Sequence, residues 1–169
     1  MWVNHELSFD KHFEDAERIY TTSQHLSHIR FTGLDCHIGS QLTELGPFAQ
    51  ASERILNLVN RIESKSIEIE HLDLGGGLGI RYQNEQPPSI QKYVESLCAN
   101  THQLNKRILI EPGRSLIGNA GLLLTRVEYL KQTPDKNFAI VDAAMNDLMR
   151  PALYDAYHEI LPIVKKNAH

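Results

Sequence analysis

Apolar positions along the chain fall into alternating blocks of helical and strand-like period, and the blocks by themselves predict an α/β protein. From about residue 10 to 26, Phe13, Ala16, Ile19 and Tyr20 recur at helical spacing, with Asp10 placed to cap the helix. Residues 29–36 form a compact apolar run that reads as a strand. Pro47 suits the first turn of a second helix, whose face carries Phe48, Ala51, Ile55, Leu58, Val59 and Ile62. A second strand runs to Leu74. Ser89 then caps a third helix bearing Ile90, Tyr93, Val94, Leu97, Cys98 and Leu104, and residues 107–110 form a third strand.

Helix and strand alternating in this way predict parallel strands with helices packed outside them. Three polar or glycine-rich segments then fall at the carboxyl ends of three successive strands. In a (β/α)8 barrel that rim is where sites are built. An open doubly wound sheet also places ligands at strand ends, so the rhythm leaves both architectures open. After Arg114 the rhythm changes: residues 121–131 and 137–141 are β-rich and joined by the turn Thr133-Pro134-Asp135-Lys136. A short helix is expected from about residue 152 to 160. The predicted division is therefore a partial barrel in residues 1–114 and, in 115–169, crossover strands opening a β-type domain.

Composition narrows the function classes. With 169 residues, 41% hydrophobic and 22% charged, the chain has the make-up of a soluble globular protein. A net charge of −4 gives no basic face for nucleic acid. No apolar run reaches the ~18 residues that a membrane span needs, and the first residues lack the basic and apolar regions of a signal peptide. Cys36 and Cys98 both sit in apolar patterns and are expected as buried, reduced thiols of a cytoplasmic protein.

The stretch Leu72-Asp73-Leu74-Gly75-Gly76-Gly77-Leu78-Gly79-Ile80 has the pattern of a buried strand that delivers a bare backbone to an anion, a phosphate above all. A tight strand-exit loop without ligand fits the same pattern. The dinucleotide fingerprint does not: its glycines open a helix, whereas here a polar loop closed by Pro87-Pro88 comes next. At the other exits stand His37, a flat ring able to cover a planar ligand, with the Ser40 hydroxyl three residues on. Glu111-Pro112-Gly113-Arg114 aims an acid and a fork of donors at the same rim. A local ion pair between Glu111 and Arg114 fits that spacing too. A carboxylate against a ring nitrogen, together with a phosphate cradle, is what pyridoxal phosphate chemistry requires.

Taken together, His37-Ile38-Gly39-Ser40-Gln41, Leu72-Asp73-Leu74-Gly75-Gly76-Gly77, Glu111-Pro112-Gly113-Arg114 and Met145-Asn146-Asp147-Leu148-Met149-Arg150-Pro151-Ala152-Leu153-Tyr154 resemble the diaminopimelate decarboxylases, fold-type III pyridoxal phosphate enzymes with a barrel and a β domain. The resemblance implies that His37 stacks on the cofactor ring as the catalytic-site histidine. It implies that Ser40, Gly75, Gly76, Gly77, Pro112, Gly113 and Arg114 line the phosphate side, with Glu111 at the ring nitrogen. Arg114, Arg150 and Tyr154 match positions that contact the substrate, meso-diaminopimelate. Asp35 and Ala144 depart from the residues usual in the family.

The family's Schiff-base lysine, on an early barrel strand, has no counterpart: Lys65 and Lys106 precede strands, Lys11 and Lys92 fall on helices, and Lys131 lies beyond the barrel half. The Cys-Glu-Ser-x-Asp segment that reaches the partner's site in the family's homodimer is also missing. The expectation is a central fragment of such an enzyme, the second half of a barrel and the opening of the β domain, inactive alone and poorly soluble, self-associating or dependent on a second fragment. An arginine- or carboxynorspermidine-type decarboxylase is the nearest rival, argued against by Arg150-Pro151 with Tyr154. A non-catalytic fragment that retains a phosphate cradle is a rival of another kind. No metal site is expected, since Pro162 stands where a zinc helix begun at His158-Glu159 needs its second histidine, and no serine elbow occurs.

Overall fold

The computed structural model describes residues 6–102 and 104–164, with side chains from residue 13 onward. Two compact units result: residues 1–80 with 86–118, and residues 81–85 with 119–169. The first has helix α1 (Glu6–Ser23), strand β1 (Gly33–Asp35), helix α2 (Gly46–Glu63), strand β2 (His71–Asp73), helix α3 (Ile90–Cys98), strand β3 (Arg107–Leu109) and the single turn α4 (Arg114–Ile117). Its strands form one parallel sheet in the order β1-β2-β3, with Leu34, Leu72 and Ile108 in register.

Helix α2 anchors this unit. Pro47 lies in its first turn, where a missing N–H costs nothing. Phe48, Ile55, Leu58, Val59 and Ile62 form one stripe in the same buried cluster as Leu34 and Leu72 of the strands and Leu74 just beyond β2. Burial of each such side chain contributes roughly 1.5–3 kcal/mol. Ser89 caps α3 by accepting a hydrogen bond from the Lys92 N–H at 3.3 Å. The Tyr93 ring meets Phe48 edge-on at 4.8 Å between centroids, and the buried Ser52 hydroxyl between these helices donates to the Leu97 carbonyl.

Several expected boundaries are corrected. Asp10 lies inside α1 and does not cap it, and the helix stops at Ser23, short of Leu26. There the Thr21, Thr22 and Ser23 hydroxyls turn back onto main-chain carbonyls and compete with the helix ladder. The strands are three residues each, because the chain peels away at each carboxyl end. Nine-residue α3 buries Tyr93 and Leu97 and leaves Ile90 and Val94 exposed. Cys36 and Cys98 are free thiols but only half-buried.

In the second unit, β4 (Val127–Gln132) and β5 (Asn137–Val141) pair antiparallel across the Thr133–Lys136 turn, with a bulge at Glu128. The β-rich run begins pairing only at Val127. Before it, Thr125 and the Arg126 N–H are held by the Asp142 carboxylate. Helix α5 (Arg150–Tyr154) starts earlier and ends sooner than expected, because Asp155 adopts a left-handed conformation at φ 47°. No described helix is long and apolar enough to cross a membrane.

Candidate functional site

The parallel register puts the three strand ends side by side, so the exit segment of each strand meets those of its neighbours. Asp35, at the end of β1, is in register with Asp73, at the end of β2, so both side chains leave the same face of the sheet. Glu111 lies two residues beyond the end of β3. One carboxylate oxygen from each of Asp35, Asp73 and Glu111 lies within 4.8 Å of the other two. Three negative groups this close favour a cation between or beside them.

The exits are laced together by their main chains. The Glu111 N–H donates to the Gly75 carbonyl at 2.7 Å, and the Cys36 N–H to the Asp73 carbonyl at 3.0 Å. Leu42 donates to Gly77, and Gly79 donates back to Leu42. The glycine triplet makes this possible. A Cβ on Gly75 would stand 2.5 Å from the Cys36 carbonyl oxygen. One on Gly76 or Gly77 would stand under 3.0 Å from the carbonyl of Glu111 or of Gly39, respectively. Gly77 also has φ +104°, a conformation that side chains rarely adopt.

The glycines therefore seat neighbouring strand exits first. Two of their N–H groups are engaged: Gly75 donates to Asp73 Oδ1 at 2.9 Å, and Gly76 donates to His37 Nδ1 at 3.4 Å. Accepting at Nδ1 leaves the proton of the neutral His37 ring on Nε2. The ring is exposed on the rim, as is the Ser40 hydroxyl three residues on. Pro112 and Gly113 lead into α4, whose first residue, Arg114, donates from Nη1 to Gln41 Oε1 at 3.0 Å.

Of the residues that the sequence singled out, His37, Ser40, Gly75, Gly76, Gly77, Glu111, Pro112, Gly113 and Arg114 all lie on the three laced exits of the first unit. Arg150 and Tyr154 share helix α5 of the second unit. There the Arg150 guanidinium carbon lies 5.3 Å from the centroid of the Tyr154 ring, a cation–π contact between residues four apart. The Arg150 Nε is buried without a hydrogen-bond partner among the described residues. Sequence reasoning assigned no role to Asp35, Asp73 or Gln41. The two aspartates stand two residues before His37 and Gly75, a shared offset that becomes informative once parallel register is assumed.

Cys36 lies between Asp35 and His37. Burial, with the Asp35 charge adding to it, pushes its thiol above the ordinary range. A raised pKa means less thiolate at a given pH. Iodoacetamide is therefore expected to alkylate Cys36 more slowly than free cysteine at pH 8, with half-maximal reactivity reached at a higher pH than for free cysteine. Half-maximal reactivity at or below that of free cysteine would contradict this placement.

Pyridoxal phosphate suits this donor set. A flat ring can lie under the exposed imidazole of His37, its nitrogen is a cation when protonated and matches the acid cluster, and Arg114 is a guanidinium suited to an oxyanion.

The sequence profile described as "Pyridoxal-dependent decarboxylase, pyridoxal binding domain" matches residues 5–118. The chain is 52% identical over 163 residues to the diaminopimelate decarboxylase of Pseudomonas aeruginosa, covering 96% of this chain and 39% of that protein. It resembles the crystal structure of Helicobacter pylori diaminopimelate decarboxylase complexed with L-lysine, with a TM-score of 0.84 and 33% identity, over 91% of this chain and 39% of that one. The diaminopimelate decarboxylase of M. jannaschii in co-complex with L-lysine gives a TM-score of 0.78 and 36% identity, over 85% and 35% of the two chains. This chain thus spans about two fifths of the length of the relatives it matches, and over that span it belongs to the pyridoxal-dependent decarboxylase family.

Proposed function

We propose that this chain is the cofactor-holding segment of a diaminopimelate decarboxylase, which converts meso-2,6-diaminopimelate to L-lysine and CO2. The single observation that carries the reading is the convergence of three strand exits on one acid-lined corner. There the Glu111 carboxylate lies near those of Asp35 and Asp73, and His37 is bonded to Gly76. Glu111 is assigned to the protonated ring nitrogen and His37 to one face of the ring. Ser40, the glycine triplet, Pro112, Gly113 and Arg114 are assigned to the phosphate side. Because Gly75 and Gly76 already spend their N–H groups inside the protein, the triplet serves mainly by shape, and Ser40 and Arg114 supply donors.

Pyridoxal phosphate, when bound, supplies the electron sink for the pair left on Cα as the carboxylate departs. The chain's own residues then have substrate to orient. Arg114, Arg150 and Tyr154 are assigned to it, two guanidinium groups suiting a substrate with two carboxylates of which one is lost.

The architecture proposed is the second half of a (β/α)8 barrel in residues 1–114, leading from 115 into a β-type domain. Support comes from a parallel sheet of three strands among the described residues, with Leu109 and Ile110 exposed at 37% and 41%, and Leu116 and Ile117 at 62% and 72%. Such edges call for further strands. The three exit segments contain no lysine. Elsewhere in the first unit, Lys65 pairs with Glu17, Lys106 binds Glu63 and the Ile69 carbonyl, and Lys92 lies in the first turn of α3, away from the strand exits in sequence. The lysine that anchors the cofactor is therefore assigned to the portion of the enzyme outside this chain, as is the homodimer contact. The two free thiols accord with a cytoplasmic setting.

Grafting the chain in place of the matching segment of the Pseudomonas aeruginosa enzyme tests the reading. The graft is expected to release CO2 from meso-diaminopimelate, and this chain alone to release none and to give no single-lysine adduct with pyridoxal phosphate and borohydride. A folded graft that binds the cofactor yet leaves meso-diaminopimelate intact would overturn the assignment.

A further inference from the structure

The Gln41 side chain ties residues 80 and 114 to the β1 exit. Its Oε1 accepts from the Ile80 N–H at 3.1 Å and from Arg114 Nη1 at 3.0 Å, while its Nε2 donates to the Ile80 carbonyl at 2.6 Å. The amide thus pairs with the main chain of residue 80 as a strand would, and its oxygen holds the guanidinium. The residue does so from φ +61°, a backbone conformation uncommon for a side chain of this kind. Neighbouring main chain supports the same pose, since Leu42 exchanges hydrogen bonds with Gly77 and Gly79 on either side of the Leu42–Leu78 bridge.

We propose that Gln41 is a positioning residue of Arg114: it accepts one guanidinium N–H and so helps fix where that group meets an oxyanion at the rim. The inference rests on the reading that Arg114 binds an oxyanion there, a phosphate or a carboxylate. An amide is the group that this place requires. A carboxylate holds arginine but cannot donate to the Ile80 carbonyl, and an apolar side chain does neither. Anchoring the guanidinium in advance also lowers the entropy lost when an oxyanion binds.

The contrast between Gln41→Glu and Gln41→Ala separates positioning from bracing. Both lose the donor to the Ile80 carbonyl, but Gln41→Glu keeps an oxygen that can accept from the Ile80 N–H, so a bracing role alone predicts that Arg114 exchange follows exchange of the Ile80 amide in each variant. Positioning predicts that Gln41→Glu keeps Arg114 ordered and Gln41→Ala does not. The readout is hydrogen exchange of the Arg114 guanidinium by nitrogen-15 NMR on the whole chain, with the amides of α2 reporting that the fold is intact. Exchange is expected to accelerate about tenfold in Gln41→Ala and less than about threefold in Gln41→Glu. Equal acceleration in both, or none in Gln41→Ala, overturns the inference.

Titration with inorganic phosphate, and separately with meso-diaminopimelate, tests the underlying reading and distinguishes the two oxyanions. If Arg114→Ala leaves both titrations unchanged, Arg114 is no oxyanion site and that reading falls, whatever the exchange data show. If Arg114→Ala abolishes one of them while Gln41→Ala binds like the unaltered chain, Gln41 does not position Arg114.

Discussion

Replacing Gly76 with alanine is expected to prevent the first unit from folding. A Cβ at that position would stand under 3.0 Å from the carbonyl oxygen of Glu111, an atom that cannot swing away because it belongs to the main chain. The Glu111 N–H is bonded to Gly75, so the β3 exit cannot retreat without breaking the contact that holds it. Overlap of this kind, in a sheet of three short strands, is expected to cost about 4 kcal/mol or more. A domain of this size is stabilised by only about 5–15 kcal/mol. Gly113→Ala is the control: a Cβ there meets nothing within 4 Å. Urea unfolding monitored by circular dichroism should show Gly113→Ala close to the unaltered chain and Gly76→Ala without a cooperative transition. A normal melt for Gly76→Ala would mean that the exits are not interlocked through the triplet.

The interlocked exits also mark where the sequence could be read and where it could not. Helix α2 was legible because its apolar stripe is long and regular and Pro47 marks its start; the Ser89 cap was legible from chemistry alone. Strand ends were less so. A three-residue strand such as His71–Asp73 carries too few alternations to fix its boundary. Left-handed Asp155, which stops α5, has no signature in an otherwise helical pattern. In the site, the triple glycine was legible as bare backbone, but its purpose was not. Periodicity does not say whether a missing Cβ makes room for a ligand or for the next strand, and here the neighbouring carbonyls of Cys36, Glu111 and Gly39 take the room. Asp35 and Asp73 were given no role for a related reason. Each is an ordinary polar residue at a strand end until the parallel register sets them beside each other. Gln41 acts through its side-chain amide on main chain far away in sequence, a pairing that no local pattern encodes.

Glu111→Gln, made in the graft with the Pseudomonas aeruginosa enzyme, is expected to lower kcat about a hundredfold with little change in KM, the range over which a positioned acid or base contributes to catalysis. The substitution is clean because Glu111 holds the fold through its main chain: its N–H bonds Gly75, and its carbonyl packs against Gly76. Glutamine keeps the shape of the side chain and removes only the charge. If the ring nitrogen's proton depends on that charge, the electron sink weakens while the proposed substrate contacts stay as they were. Asp35→Asn provides the comparison, since it removes a nearby charge from the same 4.8 Å cluster. Its effect is expected to be smaller, because a neighbouring charge acts through the field and not through a direct hydrogen bond. Steady-state rates with meso-diaminopimelate, together with the absorption spectrum of the bound cofactor, read both variants. A Glu111→Gln graft within about twofold of the unaltered one would remove Glu111 from the ring nitrogen. A larger loss in Asp35→Asn than in Glu111→Gln would transfer that role to the aspartate at the end of β1.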